Sequence, residues 1–240
     1  MRSDRMKNFD DFYDNNISLK NVFSEAWKIY QKAFSTFIPL GLCYGFSSIF
    51  DRIIQSAFDS NAFTIILLVN TLISSWFSIA VIQATTMFYL GKEMSFSEAL
   101  KCKKPSYWTF VVITLTVASL IGLGFMMFIL PGIYLATILL FADIVVVLEN
   151  RLFLDSIRRS YQIAQPYFWK VLGFCLILSL FFILPSMLML GKNLFNMSPA
   201  LNRGLQLLCV ILLFPFYTIC QVVLFHKLVP YIDADQHYKE

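Results

Sequence analysis

One carboxylate stands inside a long uncharged run. Asp143, in the segment FADIVVVLE, is the only charged residue between Trp108 and Leu148. A carboxylate at the centre of a membrane helix costs about 2.5–3.5 kcal/mol on insertion scales, so its first implied chemistry is proton transfer or ligand binding. Two structural roles compete with that one. The first is an ion pair with Arg158 or Arg159. The second is a solvated position, because Glu149 follows six residues later, about 9 Å along a helix. Gln83 and Gln221 fall at similar depth in two other apolar runs. With Asp143 they would line an intramembrane polar site open to one face, or else bond between helices as span amides do. Asn70 lies deeper and reads as an interhelical contact of the same kind.

The residue types that catalysis needs do not assemble elsewhere. His226 and His237 lack metal-ligand spacing, and there is no H-E-x-x-H, G-x-S-x-G elbow or phosphate loop. Five cysteines (Cys43, Cys102, Cys175, Cys209, Cys220) contain no C-x-x-C pair, which argues against a disulfide framework or a zinc site. Gly122-x-Gly124 has no strand before it and reads as helix packing. The expectation is a protein that is not an enzyme and carries no cofactor or metal.

These residues sit in a chain built for lipid. Of 240 residues, 58% are hydrophobic and 14% charged, and mean hydropathy is +0.67. Soluble domains hold about 45–50% apolar and about 25% charged residues. Basic residues are scattered over separate loops, which excludes nucleic acid as a partner class. The segment MRSDRMKNFDDFYDNN is polar, with no apolar core of a cleavable signal, so the first span is expected to act as its own insertion signal.

A span needs about 20 apolar residues. Cutting the chain at its charges gives six, near 33–50, 63–87, 108–130, 133–148, 171–190 and 205–225. The run from Trp108 to Leu148 is twice too long for one span, and Pro131-Gly132 inside it is a turn signal. With both termini on the cytoplasmic side, 16 Lys and Arg fall inside and 3 outside, as the positive-inside rule requires. The fold class is therefore all-α integral membrane: a cytoplasmic segment 1–32, a six-span domain 33–225 and a cytoplasmic tail 226–240. Gly41-x-x-x-Gly45 is a close-packing face, expected to serve within the chain. Pro39, Pro185 and Pro215 should each kink a span.

Three inner segments read alike, each a short amphipathic helix leading into a span. They start at Ser18, Ser95 and Phe153, and a shift of 134 pairs Trp27 with Tyr161, Ile29 with Ile163 and Phe34 with Phe168. In the last one Leu154, Ile157, Tyr161 and Ala164 share a helical face, from which Arg158 and Arg159 diverge. Such helices lie at the interface, with Arg158, Arg159 and Lys170 toward anionic headgroups. The pattern reads as a threefold helix-plus-hairpin repeat. Membrane lipids are the expected partners, with a membrane protein as the second class. The leading function is a non-enzymatic membrane-organising or lipid-interacting protein. The alternative is a small transporter or lipid-translocating protein working around Asp143.

The stretch Phe128 to Gly173 carries Pro131-Gly132-Ile133, an apolar span ending near Glu149, and an amphipathic helix with Arg159-Ser160 before an aromatic-Trp entry. It resembles the YciC-type bacterial inner-membrane proteins and the membrane domain fused to some glycerophosphoryl diester phosphodiesterases. The resemblance implies a multi-pass protein of a bacterial inner membrane without established activity. The phosphodiesterase domain and its metal-binding acids have no counterpart here, so that chemistry is not implied.

Overall fold

The computed structural model describes residues 18–57, 62–101, 107–194 and 198–237. Arg2, Arg5, Lys7, Cys102, Lys103, Lys104 and Lys239 lie outside them. Among the described residues the chain is helical and contains no strand. The helices are α1 (Leu19–Lys32), α2 (Phe34–Ala57), α3 (Ala62–Tyr89), α4 (Phe96–Lys101), α5 (Tyr107–Met127) and α6 (Ile129–Ile138). They continue as α7 (Ala142–Glu149), α8 (Phe153–Ala164), α9 (Phe168–Leu194) and α10 (Pro199–His237).

Five stretches are long and apolar enough to cross a membrane: Val69–Tyr89, Tyr107–Met127, Ile129–Glu149, Phe153–Leu180 and Gly204–Pro230. Phe34–Gly45 is a shorter apolar helix. The helices follow the apolar runs and overshoot several of them, because hydrogen bonding continues past the last apolar residue. Pro39 and Pro215 lie within continuous helices.

The Trp108–Leu148 run does fold as a hairpin, but its reversal is not at Pro131-Gly132. The chain turns at Phe128 alone, in extended backbone (φ −162°, ψ 155°), and Pro131-Gly132 belongs to the first turn of α6. Proline is welcome there because first-turn N–H groups lack intrahelical partners. Gly132 serves contact: a Cβ on it would enter the Phe125 ring, and one on Gly124 would meet Gly132 itself. The helices therefore touch near the tip. Deeper in the hairpin, Thr114 of α5 meets Asp143 of α7.

At the centre of the buried core is a triangle of α3, α7 and α10, around which α1, α2, α5, α8 and α9 add buried residues. The triangle is filled by Ile79–Ile82 and Ala84, by Phe141, Ala142 and Ile144–Val147, and by Ile219, Cys220, Val222–Phe225 and Leu228. α3 packs on both other helices, and the Phe141 and Phe225 rings, 6.1 Å apart, close the third side. Against this triangle lie the three short helices. α1 runs beside α10, α4 beside α3, and α8 beside α7. Each buries a small residue at the contact, Ala26, Ala99 and Ser160, all at most 2% exposed. Small side chains let a second helix approach closely. Glu98 caps α4 by accepting the Ser95 N–H at 2.9 Å, which holds its carboxyl below the usual carboxylate range.

Candidate functional site

The apolar stretch that carries Asp143 is not one helix. α6 ends at Ile138, α7 starts at Ala142, and Leu139 (φ −96°, ψ 3°) and Phe141 (φ −99°, ψ −1°) stand near the bridge region. No proline causes this break. Ser160 of α8 inserts its hydroxyl into the ladder, donating to the Ile138 carbonyl at 2.7 Å and accepting the Phe141 N–H at 3.2 Å. A side chain inserted into the helical ladder is a recognised cause of a break, and here it comes from a neighbouring helix.

Asp143 therefore occupies the first turn of a new helix, where free N–H groups favour negative charge. Thr114 donates to its Oδ1 at 3.0 Å. The expected pairing with Arg158 or Arg159 does not form. Arg159 donates instead to Glu149 at 3.2 Å, at the far end of α7, and its side chain is only 6% exposed. Arg151 holds the other Glu149 oxygen. Asn150, in the left-handed conformation (φ 52°), turns the chain between α7 and α8, a role Asn fills readily.

α8 meets the bundle through its small and hydrogen-bonded residues. Ser156, Arg159, Ser160, Ile163 and Ala164 are buried, whereas Leu154 and Tyr161 point outward with Arg158. The bulky Leu154 and Tyr161 are left outward, on the side expected to face lipid. Of the expected interfacial cations, Arg158 is exposed, Lys170 is half-buried at the start of α9, and Arg159 is withdrawn into the fold.

Around Asp143 the structure gathers residues that sequence spacing did not single out. Tyr217 of α10 lies within electrostatic range of Asp143, Cys175 and Tyr44. Gln221 donates to the Tyr217 hydroxyl at 2.9 Å. Cys175 of α9 lies close to Thr137, one residue before the end of α6. Tyr217, whose ring disguised it as an ordinary apolar position, is bonded to Gln221 and lies near Asp143. Gln83 stands half-buried on α3, one turn before Thr86, whose hydroxyl lies 3.4 Å from His226 Nε2. The structure describes no bond from it to Asp143.

Gly41 and Gly45 pack on Ile211 of α10, inside the chain as expected. A groove of about 420 Å³ opens between α3, α4 and α5, lined by Leu72, Ile73, Trp76, Phe77, Leu100 and Tyr107. It contains none of the polar cluster. Among the described residues no three His, Cys, Asp or Glu side chains come close enough to hold a metal ion. The cluster offers a carboxylate, two hydroxyls, an amide and a thiol, a set suited to binding a proton or a polar group. Compared with protein-family models, curated proteins and solved structures, the chain matches none.

Proposed function

We propose that this chain is a six-span protein of a bacterial inner membrane, both ends cytoplasmic, that works without catalysis by engaging lipid at the inner surface. The likeness of Phe128–Gly173 to the YciC-type proteins belongs to the same proposal, as does a threefold repeat of short helix plus hairpin. The repeat is supported by burial: the shift of 134 that pairs α1 with α8 superposes buried Val22 on Ser156, Ala26 on Ser160 and Tyr30 on Ala164.

One observation carries the lipid reading. The outward faces of α1 and α8 combine bulky apolar groups with cations. Trp27, 51% exposed, adjoins exposed Lys28, and Leu154, Arg158 and Tyr161 form one exposed stripe on α8. Aromatic rings and cations side by side are what a headgroup boundary recognises. Lys28→Gln with Arg158→Gln should lower the anionic phospholipid that co-purifies in mild detergent several-fold, read by mass spectrometry of extracted lipid. Unchanged retention in a folded double variant overturns the reading. Arg159 is left out of the test because it is buried and holds Glu149, so its removal would disturb the fold.

A second reading, transport through the membrane domain, is favoured by the broken helix at Asp143. Interrupted helices commonly hold transported ions and substrates. On this reading Asp143→Asn abolishes function while the yield and melting of the purified protein stay near wild type, since Asn still accepts from Thr114. Retained function in the folded variant removes the transport reading.

A further inference from the structure

We infer that the tip of the α5–α6 hairpin does not reach the aqueous phase but stays lodged among the lipids of the outer leaflet. This rests on the reading that the chain is a membrane protein entered by this hairpin from the cytoplasmic side.

The tip is apolar without interruption. Phe125, Met126, Met127, Phe128, Ile129 and Leu130 are consecutive and all exposed, Met126 to 85% and Leu130 to 79%. An aqueous turn is normally built of Gly, Asn, Asp, Ser and Pro. Its reach also matches: α5 has 21 residues, a rise of about 32 Å against a hydrocarbon core of about 30 Å.

The backbone supplies the independent argument. Hydrocarbon offers no water to unpaired N–H and C=O groups, so loops cannot ordinarily sit there. This reversal spends one residue outside the helices. The Phe128 N–H bonds back to the Gly124 carbonyl at 3.0 Å, and the Gly132 N–H returns to the Phe128 carbonyl at 3.4 Å. Pro131 has no N–H to leave unpaired. Of the first four donor positions of α6, only Ile129 and Leu130 lack such an arrangement. The glycine contact lets Phe125 fold over Gly132, so the backbone is screened by a ring. The partner this surface fits is therefore the acyl and glycerol region of a phospholipid.

Met127→Cys tests it, with Ser198→Cys, at the exposed start of α10, as reference. Membrane-impermeant maleimide is applied to right-side-out spheroplasts, and labelling at each position is read by peptide mass spectrometry, so the native thiols stay in place. Met127→Cys should label on the order of ten-fold more slowly, because the reaction needs a hydrated thiolate. It should label fully once SDS unfolds the protein. A bimane at the same cysteine should be quenched by lipids brominated near the glycerol end. Labelling as fast as at Ser198→Cys puts the tip in water and overturns the inference, as does a bimane that lipid bromines fail to quench, which puts protein over the tip. If Ser198→Cys reacts only from the cytoplasmic side, the orientation is wrong, and the comparison repeated from that side still decides the tip.

Discussion

Gly41→Ala should destabilise the membrane domain by at least about 1–3 kcal/mol, the usual range for inserting a methyl into a packed interior. The upper end or beyond is expected, because a Cβ at Gly41 runs into the Ile211 carbonyl oxygen and touches Pro215. A backbone atom on a proline-containing helix cannot rotate aside, so α2 and α10 must part. Gly45→Ala should cost less, since it meets only the Ile211 side chain, and Gly122→Ala should be neutral or mildly stabilising, having no neighbour within 4 Å. An exposed helical Gly gains up to about 1 kcal/mol on replacement by Ala. SDS-titration midpoints of the three variants check the order. A Gly41→Ala protein as stable as wild type would mean that these helices do not pack as described.

Ser160→Val should be the other large loss. Valine, the shape match of threonine, returns neither hydrogen bond, leaving the Ile138 carbonyl and the Phe141 N–H buried without a partner. An unsatisfied buried polar group costs about 1–3 kcal/mol, so the pair predicts roughly 2–6 kcal/mol. Ser160→Thr, which keeps the hydroxyl, should recover most of it. Hydrogen exchange adds a local signature: the Phe141 amide should lose protection in Ser160→Val while Val145, bonded to the Phe141 carbonyl at 2.9 Å, changes less. Equal stability of Val and Thr variants would show that the hydroxyl does not hold the break.

What the residues disclosed in advance divides along physical lines. The apolar runs sit where helices sit, because lipid-length hydrophobicity is a local property summed over about 20 positions. Gly41-x-x-x-Gly45 was legible because close packing needs a missing side chain whatever the partner is. The break before Asp143 was not, since its cause lies about 20 residues downstream and no local propensity marks it. Pro131-Gly132 misplaced the reversal because proline suits a first helical turn as well as a loop. Arg159 was sent to the headgroups by its charge, and only the position of Glu149 shows that it turns inward. Asp143 and Gln221 were matched in depth from helix arithmetic, but the place of Tyr217 beside them needed the packing.

The stitch across α6 and α7 also dictates an order of manufacture. A ribosome delivers Ile138 and Phe141 well before Ser160, so while the hairpin enters the membrane these two backbone groups have no hydroxyl to meet. The element that completes them, α8, is amphipathic and need not cross the bilayer. The break is therefore closed only after the hairpin itself has been made, by a segment that arrives later in the chain. A chain stalled before residue 160 would hold an inserted but unlatched hairpin, a substrate for quality control. Release of Ser160 from the exit tunnel is the earliest moment at which that break can be closed.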